Sequence, residues 1–299
     1  MSEKLVGVDI GGTKILIVLT DGKGVVKKRI EMLMTPEPAK AVLKKILSAL
    51  KSLGSFDSVG IGIAGDIDSK RGILRFSPNM PRWKNVQIKK YFEKVLRVPV
   101  SVDNDANSAV FGSYAIDGKG KYKNFITITL GTGIGGGIIL NGKLYRGSTG
   151  SAGEIGHMVI NPNGPRCGCG NYGCLEAFIG TKGIIAMAKH MGLSSGKVTP
   201  QTLAVKAREK NKIAMLVFEK IAEYLAAGVG GVINIFNPDM ITFSGGVSNS
   251  WDLLSKPFFK KLKRRAFSTP LKHVKIKRSG DSKNLGAIGA ALLSKEEKR

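Results

Sequence analysis

The sequence lacks a hydrophobic run long enough to span a bilayer. Its longest, around Leu225 to Phe236, is short and interrupted by glycine, whereas a spanning helix needs about 20 apolar residues. Nothing at its start reads as a secretory leader or a leading pair of DNA-binding helices, because Met1-Ser2-Glu3-Lys4 runs straight into an apolar strand pattern. These absences predict a cytoplasmic protein with no membrane partner. Acidic residues are also few: 22 Asp and Glu against 47 Lys and Arg leave a net charge of +25, which raises nucleic-acid binding as a class. The lysines, however, are scattered through helix and turn patterns, such as Lys44, Lys45 and Lys51 or Lys119, Lys121 and Lys123, and apart from Tyr122 no aromatic residue interleaves with these runs. The densest run, Lys260-Lys261-Leu262-Lys263-Arg264-Arg265, reads as a helix face or edge. A solvated, lysine-rich surface is expected, and a specific nucleic-acid partner is not.

Cysteine is scarcer still, and its placement is informative. All three, Cys167, Cys169 and Cys174, fall within eight positions, with His157 ten residues earlier and Glu154 and Glu176 flanking the set. Three thiolates and an imidazole make the tetrahedral Cys₃His set that structural zinc prefers, and Gly168, Gly170 and Gly173 let a short loop close around one ion. Such a set leaves no coordination position open for catalysis. The competing reading is a disulfide with one spare thiol; cysteines separated by a single residue are badly placed to pair. The ion would hold Glu154-Ile155-Gly156-His157 and Glu176 around one point, suited to gripping a polyhydroxylated ligand.

Length and an apolar content of 42% fit two soluble globular domains. Two segments open alike. Leu5 to Ile10 is an apolar strand ending at Gly11-Gly12-Thr13-Lys14, returning as Ile15 to Leu19 to a turn at Asp21-Gly22. Phe125 to Leu130 ends at Gly131-Thr132-Gly133-Ile134-Gly135-Gly136-Gly137 and returns as Ile138 to Leu140 to a turn at Asn141-Gly142. Two copies of one α/β unit facing each other would put these glycine turns across a cleft. Further strands are expected at Val59–Ile63, Val98–Val102 and Met240–Phe243, and helices over 39–53, 86–96, 213–235 and 284–297. A charged tail, Lys295 to Arg299, and a hinge near 115–121 complete the expectation.

Backbone N–H groups of glycine turns can cradle phosphate. Gly131, Gly133 and Gly136 match a dinucleotide fingerprint, but that motif must open a helix and this turn feeds a strand. Nor does the chain contain a Gly-x-x-x-x-Gly-Lys-Ser/Thr loop, so any phosphate chemistry is not of that type. Asp9, just before the first turn, could hold Mg²⁺ through water or simply cap its own turn. In Asp103-Asn104-Asp105-Ala106-Asn107, which follows a strand and starts a helix, one aspartate can cap the helix and the other serve as general base toward a hydroxyl.

These motifs together resemble the ROK family of sugar kinases and regulators, over almost the whole chain. They are Asp9-Ile10-Gly11-Gly12-Thr13-Lys14, Asp103 to Asn107, Gly131 to Gly137, Glu154 to His157 and, most specific, Cys167 to Glu176. The resemblance implies an α/β fold of two actin-like, ribonuclease H-like domains facing a cleft, with mixed sheets flanked by helices. The expected division is 1–115 plus 285–299 against 116–284, the latter with the zinc loop. It implies Asp105 as general base, and Gly65, Asn79, Asn104, Glu154, His157 and Glu176 as sugar contacts. ATP and Mg²⁺ would lie on Asp9, Gly11, Gly12, Thr13, Lys14, Gly131, Thr132, Gly133, Gly135, Gly245, Gly246 and Val247. His157 would serve both zinc and sugar. Ala152 stands where the family often has glycine. The expected activity is ATP-dependent phosphorylation of a hexose, glucose first, by a homodimer or homotetramer. A kinase of N-acetylglucosamine, N-acetylmannosamine or fructose, and a sugar-sensing regulator, remain the alternatives.

Overall fold

Strand β1 (Lys4–Ile10) is buried along nearly its whole length, as expected of a central strand covered on both faces. It turns into antiparallel β2 (Lys14–Asp21), which pairs in turn with β3 (Val26–Leu33). Exposed Lys27, Lys28 and Arg29 on β3 protect that edge with charge. Helix α1 (Ala39–Ser52) buries Val42, Ile46 and Leu50 on one stripe. Next come β4 (Ser58–Ile63), parallel to β1, and a small antiparallel sheet of β5 (Asp66–Asp68), β6 (Ile73–Phe76) and β7 (Lys84–Gln87). Helix α2 (Ile88–Leu96) stops at left-handed Arg97, and β8 (Val100–Asn104), parallel to β4, passes without a break into α3 (Asp105–Ser113). A π-helical turn, Tyr114–Gly118, follows. The first sheet has the order β3-β2-β1-β4-β8.

The pattern then repeats with β9 (Phe125–Leu130), β10 (Ile134–Leu140) and β11 (Lys143–Leu144). Asn141 and Gly142, with φ of 52° and 77°, make the two-residue hairpin that joins β10 to β11. Four helices follow: α4 (Leu175–Ile179), α5 (Thr181–His190), α6 (Pro200–Arg208) and α7 (Lys212–Phe236). The chain closes with β12 (Met240–Ser244), α8 (Trp251–Leu262), α9 (Ser268–His273), β13 (Lys275–Arg278) and α10 (Leu285–Glu296). The second sheet runs β11-β10-β9-β12-β13, with β12 and β13 parallel. Both sheets place a hairpin on one side of the opening strand, so the internal resemblance read from the two glycine turns extends to topology.

This computed structural model describes residues 3–77, 79–118, 120–193, 196–281 and 283–296. Met1-Ser2, Pro78 in the segment around Asn79, Lys119 in the expected hinge and 297–299 of the expected tail lie outside the described residues. By packing, the chain forms one unit from Met1–Thr127, Gly137–Gly153 and Gly280–Arg299, and another from Ile128–Gly136 and Glu154–Ser279. In the first unit α10 lies on β1, β4 and α3. A Cβ on Gly7 or Gly60 would stand 1.7 Å from a carbonyl oxygen of α10, so these glycines admit the helix at backbone contact. No helix among the described residues is long and apolar enough to cross a membrane.

Three element boundaries differ from the expectation. The helix expected from 86 begins at Ile88, because Lys84–Gln87 completes the ladder with β6. Parallel pairing with β4 runs on through Gly62↔Asp103 and Ile63↔Asn104, so Asp103 and Asn104 belong to the strand rather than following it. Strand β10 starts at Ile134, leaving only 131–133 as the second glycine turn.

Candidate active site

The first turn is closed by the Gly11 N–H donating to Lys14 O at 3.0 Å. Asn79 lies against it: a Cβ on Gly12 would be 3.3 Å from Asn79 Cγ. Asp9, on β1 just before this turn, faces the first turn of α10, where a Cβ on Gly286 would be 2.6 Å from its carboxylate. Burial pushes the Asp9 carboxyl from 3.8 up to about 7; the nearby Asp105 carboxylate adds to the rise and Lys14 opposes it. Between those two values the folded chain keeps a proton that the unfolded chain has released, so stability falls as pH rises through that window. Asp9→Asn is therefore expected to stabilise the ligand-free protein above pH 7 and not near pH 4. Denaturant titrations at the two pH values check this; an equal gain at both would contradict it.

Neither aspartate of the 103–107 segment is the cap of α3, contrary to the sequence expectation. Asn104 is the cap: its Oδ1 accepts the N–H of Ala106 at 2.8 Å and of Asn107 at 3.4 Å, while its Nδ2 donates to Gly65 O at 3.1 Å. That bond joins two residues expected to touch sugar. Asp105 becomes the first helical residue, its Oδ1 accepting the Ala106 N–H at 2.9 Å, a position where the helix end favours an anion. Asp103 turns instead to Arg146, a residue that sequence reading does not single out, with Nη2 and Nε donating to its Oδ2 at 2.7 and 2.9 Å.

In the second unit the glycine turn is gripped by the elements around α4. The Ile134 N–H donates to Glu176 Oε2 at 2.8 Å, and a Cβ on Gly133 would stand 2.2 Å from that oxygen, so glycine there keeps the carboxylate in place. Thr181 Oγ1 donates to Gly131 O at 2.9 Å and its N–H to Thr132 O at 3.1 Å. Gly135 N–H donates to Thr129 Oγ1 at 3.1 Å. Gly245, at φ 85°, backs onto the Leu130 backbone, which brings the Gly245-Gly246-Val247 segment to the start of the same turn; Val247 is buried and Gly246 exposed.

The ligand atoms of His157, Cys167, Cys169 and Cys174 all lie within 4.8 Å of one another. Cys169 and Cys174 Sγ are 3.7 Å apart, and Cys167 Sγ is 3.6 Å from His157 Nδ1. With Zn–S near 2.3 Å and Zn–N near 2.0 Å, a tetrahedral site puts sulfurs about 3.8 Å apart and sulfur and nitrogen about 3.5 Å apart. The donor set therefore fits zinc in both chemistry and size, and no disulfide joins these cysteines. Burial, followed by the neighbouring thiols, pushes Cys174 up to about 12, and burial raises Cys167; the Asn171 backbone N–H lowers Cys169. His157 Nε2 lies 3.8 Å from Glu154 Oε2, so the ring faces the thiol cluster with one nitrogen and the expected sugar contact with the other.

Residues 5–297 match the family model described as ROK family. The chain belongs to the ROK family. A glucokinase of Thermotoga maritima is 33% identical over 98% of this chain and 98% of its own length. The solved structure of a ROK family glucokinase from Streptomyces griseus, in complex with glucose and AMPPNP, is similar at a TM-score of 0.86 and 32% identity, covering 98% of this chain and 99% of that one. A xylose repressor of Caldicellulosiruptor bescii is 28% identical over 91% of this chain and 73% of its own length. The mixed α/β architecture of this ROK chain is accordingly the actin-like one. Within it, the first unit carries Asp9, the 11–14 turn, Gly65, Asn79, Asn104 and Asp105. The second carries the 131–133 turn, Gly135, Glu154, the four zinc-competent residues, Glu176 and 245–247.

Proposed function

We propose that this ROK protein transfers the γ-phosphoryl group of ATP to the 6-hydroxyl of a hexose, with glucose as the preferred acceptor. The observation that carries the reading is the 33% identity with a glucokinase across 98% of both chains. It is supported by Asp105 standing at the start of α3 beside capping Asn104, which also bonds Gly65. Asp105 takes the proton from the hydroxyl as that oxygen attacks the γ-phosphorus in line, with ADP leaving. Asn104, Gly65, Asn79, Glu154, His157 and Glu176 bind and orient the sugar hydroxyls. N–H groups of the 11–14 and 131–133 turns and of Gly135 receive phosphate oxygens, and Gly245, Gly246 and Val247 receive the adenosine. Mg²⁺ on water beside Asp9 would spread the phosphate charge; positioning and electrostatics supply most of the acceleration in such transfers.

Zinc on His157 Nδ1 and three thiolates would supply structural fixation, with no open position for chemistry. The functional division we adopt is 1–115 plus 285–299 against 116–284. Its first boundary falls within the π-helical turn at Tyr114–Gly118 and its last at the start of α10, whereas packing groups 116–127, 137–153 and 280–284 with the first unit. The reading further takes the protein as a cytoplasmic homodimer or homotetramer with no specific nucleic-acid or membrane partner.

A coupled ADP-release assay with Mg-ATP against glucose, mannose, fructose, N-acetylglucosamine and N-acetylmannosamine tests the reading. Activity on glucose is expected to lead. Activity on an acetamido sugar alone would keep the mechanism and change the acceptor. A folded protein that is silent on every sugar and retains DNA at moderate salt would favour the repressor relatives instead.

A further inference from the structure

Asp103 is a buried carboxylate, its side chain 6% exposed, and both of its oxygens accept hydrogen bonds. Oδ1 accepts the Asn104 N–H and the Asn107 Nδ2–H, each at 2.8 Å, and Oδ2 accepts Arg146 Nη2 at 2.7 Å and Nε at 2.9 Å. A buried pair of this kind contributes little net stability, since desolvation offsets most of the attraction; what it fixes is arrangement.

The arrangement in question is that of a loop. Arg146 lies two residues past β11, and its carbonyl accepts the Ala152 N–H at 3.1 Å, closing a loop over 147–152. Within and just after that loop Gly147, Gly150 and Gly153 have φ of 69°, 95° and 90°, conformations that give the backbone little stiffness of its own. Gly147, Ser148, Thr149 and Ser151 are exposed. The far side of the loop approaches β5, a Cβ on Gly150 being 3.3 Å from Ile67 O. Loop and ion pair thus meet the chain at two places next to proposed sugar contacts: Asp103 directly precedes Asn104 and Asp105, and β5 directly follows Gly65.

We infer that Arg146 is a positioning residue for the sugar subsite. Through Asp103 it fixes the 147–153 loop, and through the Asp103 bond to the Asn104 N–H it fixes the β8–α3 junction that presents Asn104 and Asp105. It also supplies the positive charge that keeps Asp103 from being an unpaired carboxylate two residues from Asp105. The inference rests on the sugar-kinase reading for which ligand to use, and not on catalysis.

The test is glucose affinity by calorimetry without ATP, together with melting temperature, for wild type and Arg146→Lys. Lysine keeps the charge and loses the two-point donation. Glucose binding is expected to weaken about tenfold or more, the size of a lost charge-assisted contact. Under turnover, the glucose KM should rise in step while the KM for ATP stays within about threefold. Should Arg146→Lys fail to fold, the charge-neutral pair Asp103→Asn with Arg146→Gln replaces it, with the same expected loss of glucose affinity. Unchanged glucose affinity in a folded variant overturns the inference, as does a fall in melting temperature and in kcat with no change in sugar affinity. A wild type that binds glucose without phosphorylating it would defeat the kinase reading and leave this inference standing on its binding data; a wild type that binds no sugar would overturn it.

Discussion

Asparagine in place of Asp105 is expected to lower turnover by about 10²–10⁴-fold, the usual contribution of a positioned general base. The substitution is nearly isosteric, and α3 keeps its cap because Asn104 also accepts the Ala106 N–H and alone accepts that of Asn107, while an asparagine at 105 retains an acceptor oxygen for the Ala106 N–H. Glucose affinity should therefore change only slightly, and the loss should fall on kcat. Removing the Asp105 charge also removes one of the two influences that raise Asp9, which offsets the loss of an anion at the start of α3, so the variant should melt close to the parent above pH 7. Steady-state kinetics with Mg-ATP and thermal melting check both halves. Full turnover in Asp105→Asn would take the residue out of the role.

Loss of the metal is expected to be the larger structural effect. Cys174 is fully buried, precedes α4 directly and pairs across a short bridge with Val159. Cys174→Ala should release zinc and destabilise the second unit, since structural zinc in comparable sites contributes on the order of 10 kcal/mol. The glycine turn should loosen as well. Glu176, two residues after Cys174, holds the Ile134 N–H, and Cys167 Sγ lies 3.9 Å from the other Glu176 oxygen. Metal content by elemental mass spectrometry is expected near one zinc per wild-type chain and near none in the variant, with a lower melting temperature. Wild-type protein grown with zinc and containing none would end this part of the account.

The His157 and cysteine cluster and both glycine turns are legible in the sequence because each is compact in the chain: the three cysteines share one loop, and each turn closes its own pair of strands. What is illegible depends on contacts across long separations. Arg146 meets Asp103 over 43 residues and Glu176 meets Ile134 over 42, and no local pattern announces either. The cap of α3 is misread for a different reason. Asp and Asn are comparable caps, and the choice falls to Asn104 only because the β4 ladder carries β8 through it. Gly286 is similar: glycine inside a helix costs about 1 kcal/mol relative to alanine, and its purpose is visible only once Asp9 is seen against it. The short helices α4 to α6 and α9 lack a long periodic stripe and escape pattern reading, and of α8 only the basic end from Lys260 is read.

The most direct measurement is the identity of the product. After incubation with Mg-ATP and glucose, phosphorus–proton correlation spectroscopy is expected to show one equivalent of ADP and a sugar phosphorylated on its 6-oxygen. ATP converted to ADP and free phosphate with the sugar untouched, or phosphate carried on the anomeric oxygen, would contradict the account.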